Sequence, residues 1–137
     1  MEPGHPRVAV AIVNTTPDVV DMLRHQFESI GFVVVSCFTH EIRDGKVDFE
    51  AFLRQHEPRV IVYDLAPPYG PNFRLFEHVR AMDAVKGRRF VITSVNPPNV
   101  QELVGHDERV YEVVDRREDL MTLVQAVKEA SRARDTR

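Results

Sequence analysis

Asp64 closes the apolar run 60–63, and it is the residue in this chain best placed to do chemistry. A carboxylate there can serve as an oxygen ligand for a hard cation or as an acceptor in group transfer. In open α/β sheets, ligands bind outside the carboxyl ends of the strands. The residues following each apolar run are therefore the ones to read. Asn14, Thr15 and Thr16 follow the first run, and Thr93 and Ser94 end the fourth. Asp115, Arg116 and Arg117 follow the fifth. An acid ending a buried central strand is expected at the rim, solvated and facing a crevice. The plainer alternative is a turn-forming aspartate ahead of the proline-rich stretch 65–68.

Other chemistry finds little support. Six histidines are scattered, and no two have metal-ligand spacing on one helix face. Asp44 and Asp48 lack the remaining spacing of a calcium-binding loop. No G-x-G-x-x-G, Walker A or G-x-S-x-G pattern is present. The stretch 67–71 has a glycine but three prolines, so it lacks the amide donors of a phosphate-binding nest. The single cysteine, Cys37, rules out an internal disulfide and reads as a buried thiol.

The elements that must position these residues are short. Apolar runs rich in β-branched residues occupy 8–13, 32–35, 60–63, 90–92 and 110–114. The first four are continuously apolar, which suits strands buried on both faces of a parallel sheet. The fifth is interrupted by Glu112, as on an edge strand. Helical periodicity separates them. Thr16-Pro17-Asp18 combines a capping hydroxyl, proline at the first helical position and an acid in the first turn. Val19, Val20, Leu23, Phe27 and Ile30 follow at spacings of three and four, and Gly31 ends the helix. A polar connection over 40–47 precedes a second helix capped by Asp48 and ending before Pro58. A third carries Phe73, Phe76 and Val79, and a short fourth runs from Asn99 to Gly105. The last carries Leu120, Leu123, Val124 and Val127. Strand then helix, five times over, predicts a doubly wound α/β sheet with helices on both faces.

Composition bounds the class. The 137 residues fit one domain with a real core. Basic and acidic residues, 18 and 21, nearly cancel, which argues against a nucleic-acid-binding surface. No apolar stretch approaches the roughly 20 residues of a membrane span. The first six residues lack the apolar segment of a signal peptide, so a cytoplasmic location is expected. The expected organisation is a disordered N-terminus over 1–6, a domain over 7–130 and a polar tail over 131–137.

From Arg7 to about Ala130 the chain resembles the receiver domains of two-component response regulators. The best stretch runs from Asp64-Leu65-Ala66-Pro67-Pro68 through Asn72, Leu75, Phe76 and Val79 to Arg80. Receivers place a phosphoacceptor aspartate here, with proline four residues on and glycine eight on. Asn72 stands where that glycine is usual, and asparagine also tolerates a left-handed backbone. The resemblance implies a flavodoxin-like sheet of order 2-1-3-4-5 flanked by five helices. It gives Asp64 the phosphoacceptor position and Thr93 the switch position. Tyr111 falls near the aromatic that receivers move on strand five, with Glu112 as the alternative occupant and core packing as another role.

Two departures weaken the phosphorylation chemistry. Receivers hold magnesium with an acidic pair after strand one, where this chain has Asn14-Thr15. Receivers also carry a lysine after strand five, and none lies between Val110 and Met121. Magnesium usually takes one or two carboxylates, so a set of Asp64, Asn14 and the Ala66 carbonyl would hold it weakly, if at all. Arg116 or Arg117 could replace the lysine, since guanidinium pairs well with phosphate; the plainer reading makes both solvated turn residues. Without acidic neighbours, Asp64 is expected to be an ordinary ionised carboxylate.

The expectation is thus an atypical receiver, not an enzyme and without a required cofactor. It would act by binding a signalling protein or histidine kinase. The face of the fourth helix, fifth strand and fifth helix would serve for docking or homodimer formation. One alternative is a working phosphoacceptor that uses Asp64 and magnesium. The other is a small flavodoxin-like ligand-binding domain or enzyme.

Overall fold

The computed structural model describes residues 7–133. Five parallel strands form one sheet in the order β2-β1-β3-β4-β5: β1 (Ala9–Asn14), β2 (Val33–Phe38), β3 (Val60–Asp64), β4 (Arg89–Ser94) and β5 (Val110–Asp115). Six helices connect and cover them: α1 (Pro17–Ser29), α2 (Thr39–Arg43), α3 (Phe49–His56), α4 (Tyr69–Arg80), α5 (Pro97–Val104) and α6 (Leu120–Arg132). A 3-10 turn, Asp83–Val85, precedes β4.

Alternation along each strand divides the core in two. Ala11, Val13, Ile61, Tyr63, Phe90 and Ile92 pack on the side of α3, α4 and α5. Val10, Ile12, Val60, Val62 and Val91 pack against α1 and α6. The three central strands are covered on both faces, which is why their sequences are continuously apolar. Tyr63, Phe76 and Phe90 make a mutual edge-to-face cluster, with ring centroids 5.1 to 6.2 Å apart. Cys37 is buried, and desolvation, with Glu41 adding, pushes its thiol up to about 12, so it is unreactive packing.

Both sheet edges depart from regular ladders. On β2, Arg24 from α1 donates to the Val34 carbonyl at 2.8 Å and to Ser36 Oγ at 2.6 Å. On β5, Phe90 pairs with Val110 but Val91 pairs with Glu112, so Tyr111 sits at a bulge.

Several expected boundaries move. The polar connection 40–47 contains α2, held by Glu41 reaching back to the Phe38 amide at 2.8 Å and by buried Ile42, so the helices number six rather than five. Thr16 stands at the N-cap of α1, but its hydroxyl makes no cap bond. Asn14 Oδ1 instead accepts from the Thr15 and Thr16 amides at 2.8 and 3.1 Å. Asp48 caps α3 as expected, through the Ala51 amide. The proline-rich stretch 67–71 is a loop only to Pro68; Tyr69, Gly70 and Pro71 open α4. α5 starts at Pro97, capped by Asn96. α6 continues through Ser131, which is buried, so a tail beginning at 131 is two residues too early. The expected disorder of 1–6 and the rest of the tail lie outside the described residues.

Phe76 is fully buried at the centre of the aromatic cluster. Phe76→Ala should destabilise the domain by about 3–5 kcal/mol in urea unfolding, the range for a large core ring replaced by a cavity.

Candidate functional site

The site follows from strand parity. Asn14 and Asp64 end their central strands and Thr93 is the last but one residue of β4, all three on the phase of the α1- and α6-facing residues. Asp64 and Thr93 are direct partners in the β3–β4 register, so their side chains stand side by side. Main-chain bonds fix the surrounding loops. Leu65 N donates to the Thr93 carbonyl at 2.9 Å, and Arg116 N to the Ser94 carbonyl at 2.8 Å.

Asp64 is not the solvated rim carboxylate expected from the sequence. It ends β3 as expected, but its side chain is 0% exposed. The Thr93 hydroxyl donates to Oδ1 at 2.7 Å. Arg116 Nη1 donates to Oδ2 at 3.2 Å and forms an ion pair with it. Burial pushes the Asp64 pKa above the ordinary aspartate value; the Thr93 hydrogen bond and the Arg116 charge pull it back. The expectation of an unperturbed acid is therefore corrected, because burial acts where absent acidic neighbours do not.

Arg116 and Arg117 part company. Arg116 reaches inward to Asp64 with its side chain 32% exposed, so the plain reading as a solvated turn residue fails for it. Arg117 is largely exposed and turns back to Asp115, with Nε and Nη2 at 3.0 and 2.9 Å. Tyr111 lies well down β5 from this cluster and is 38% exposed, so core packing is not its role. A crevice of about 320 Å³ opens beside the pair between α1 and α6. Asn14, Thr93 and Arg116 line it together with Leu23, Leu120 and Leu123, whereas Asp64 lies behind.

The residues do not fit a magnesium ion. Both Asp64 oxygens are engaged, one of them by a cation. Asn14 Oδ1 is spent on two backbone amides. The Ala66 carbonyl accepts from Asn72 Nδ2 at 2.7 Å. This last bond gives Asn72 a positive role, tying the loop after β3 to α4, which its reading as a tolerated glycine replacement missed. Among the described residues, no three histidine, cysteine, aspartate or glutamate side chains are grouped to hold a metal. No helix among them is long and apolar enough to cross a membrane.

No protein-family model and no curated protein matches the chain. Solved structures do. A response regulator from Thermotoga maritima superposes with a TM-score of 0.70 at 14% identity, covering 93% of this chain and 100% of the other. A sensor protein from Polaromonas sp. JS666 gives 0.69 at 17% identity, with 92% and 97% covered. A CheY-like response-regulator receiver domain from Methylobacillus flagellatus gives 0.65 at 16%, with 91% and 99% covered. The chain thus has the fold of response-regulator receiver domains, over the full extent of that fold. At these identities the likeness is one of fold, and the chemistry rests on the residues themselves.

Two outcomes follow from the buried pair. Thr93→Val should cost about 1–3 kcal/mol in unfolding free energy, since it removes a donor from a buried carboxylate. Because the folded pKa of Asp64 stands above its ordinary 3.8, its contribution is fully present only below that value. The contribution is lost as pH rises through the raised folded pKa. Asp64→Asn should therefore gain stability relative to the parent between acid and neutral pH. A pH-independent difference in urea midpoints would show that Thr93 and Arg116 fully offset the burial.

Proposed function

We propose that this chain is a receiver-fold signalling protein that works by contact with a partner protein, with Asp64 withdrawn from phosphoryl transfer. The Arg116–Asp64–Thr93 arrangement carries this reading. Phosphoryl transfer to a carboxylate depends on positioning and on neutralising charge with metal ions. Here the carboxylate is buried, both oxygens have partners, and its counter-ion is a side chain of the same molecule. Such a protein needs neither magnesium nor catalytic turnover. Its output is delivered by surface, and a histidine kinase or another signalling protein is the class of partner that the fold suggests.

The face formed by α5, β5 and α6 is the surface proposed for that contact or for pairing with a second copy. Each of the three elements leaves one large apolar side chain exposed: Leu103, Tyr111 and Met121. Displacement by the β5 bulge puts Tyr111 at the surface, where an aromatic side chain can anchor an interface.

One observation favours the rival reading of a working phosphoacceptor. Arg116 already stands at hydrogen-bond distance from Asp64, where a cation could balance a transferred phosphoryl group. Incubation with magnesium and a small acyl phosphate, followed by intact-mass measurement, separates the two. The expected result is an unmodified chain and a melting temperature unmoved by millimolar magnesium. A phosphate adduct abolished by Asp64→Asn would overturn the proposal and establish Asp64 as a nucleophile.

A further inference from the structure

At the opposite end of the sheet from Asp64, β4 and β5 begin beside a cleft of about 830 Å³. Five of its lining residues are cationic: Arg80, Lys86, Arg88, Arg89 and Arg109. Only two, Asp107 and Glu108, are acidic. This excess of positive charge lies in a chain whose formal charge is -3, so it is a local feature rather than the average surface.

Internal pairing offsets much of this charge, and Lys86 and Arg109 are the cations whose side chains remain exposed at the cleft. Asp107 is shared by two guanidiniums, Arg80 Nη1 at 3.2 Å and Arg109 Nε at 3.1 Å. Glu77, on the flank, also meets Arg80 at 3.3 Å. Lys86 meets Asp83 at 3.0 Å, but both side chains are more than two-thirds exposed, so the lysine is held weakly. Among the described residues, Arg88 donates to the main-chain carbonyls of Ala84, Pro58 and Leu53 at 2.7, 2.9 and 3.2 Å. Burial lowers its pKa, Glu57 opposes that and Arg54 adds to it, as for a cation with too little compensation. Gly87, at φ +83°, turns the chain between Lys86 and Arg88 so that both line the cleft.

Helix capping accounts for part of the cluster. Arg80 donates to the Val104 carbonyl at the end of α5, and Arg109 to the Arg80 carbonyl at the end of α4. Capping does not call for Lys86, nor for two guanidiniums on one carboxylate. The volume lies within the roughly 300–1,000 Å³ of small-ligand sites. Guanidinium and ammonium groups converging on one concavity suit vicinal phosphates.

We infer that this cleft binds a small polyphosphate anion, contacted by Lys86 and Arg109 and held in the positive field of Arg80 and Arg88. The inference is independent of the role of Asp64. Inorganic tripolyphosphate and ATP, titrated separately into the full chain by calorimetry in magnesium-free, low-salt buffer, test it. At least one should bind saturably. Lys86→Glu and Arg109→Gln, checked for native circular dichroism, should each weaken binding by about tenfold, the effect of losing roughly 1.4 kcal/mol of interaction. Arg43→Gln, at an exposed position of α2, should leave binding unchanged. Equal affinities would assign the phosphate chain alone as the recognised group; tighter ATP binding would assign a nucleotide. If neither probe binds, or if both cleft substitutions leave the affinity unchanged, the inference fails.

Discussion

A buried negative charge has to be balanced from somewhere, and here the balance is internal. Asp64 sits at the end of the central strand of a parallel sheet, buried between the ends of β1 and β4 and so removed from water. Ionisation in such a place is costly without a partner. Thr93 supplies a hydrogen bond and Arg116 a positive charge, and these two contacts also bind the ends of β3 and β4 to the loop that follows β5. The same contacts occupy the oxygens that an external cation would need. Structural satisfaction of the carboxylate and its poor fit to a metal ion are therefore one arrangement seen from two sides.

The surrounding fold is built to deliver that arrangement. Alternation sends Val60, Val62 and Asp64 to one side of β3 and Ile61 and Tyr63 to the other. Register then brings Thr93 beside Asp64. The Asn14 turn closes the start of α1, and the Asn72–Ala66 bond fixes the start of α4. Each uses an amide side chain to bond backbone groups at the start of a helix.

Much of this was legible in the residues. The uninterrupted β-branched runs of β1, β3 and β4 declared strands covered on both sides, and Glu112 marked one edge; the equally apolar run 32–35 is the other edge, partly exposed, and its sequence did not show it. Asp48 capped its helix as its position implied. What escaped was long-range. Nothing local to Arg116 tells it from Arg117; only the fold, which aims one at Asp64 and folds the other onto Asp115, separates them. The burial of Asp64 escaped for the same reason, since the residues that close over it, Thr93 and Arg116, come from distant parts of the chain. The short helix α2 was hidden in a polar stretch because one buried isoleucine and one back-bonding glutamate suffice to form it. The bulge at Tyr111 was invisible because an extra residue in one strand shows only against its neighbour.

The two margins of the sheet bear on how this molecule can meet others. A free ladder of amides and carbonyls invites a foreign strand to extend the sheet. Here the guanidinium of Arg24 already occupies one margin, and the other is thrown out of step at Tyr111. Neither is a ready template for β-augmentation. Contact at either margin would then rest on side chains rather than on main-chain pairing, which accepts many sequences alike.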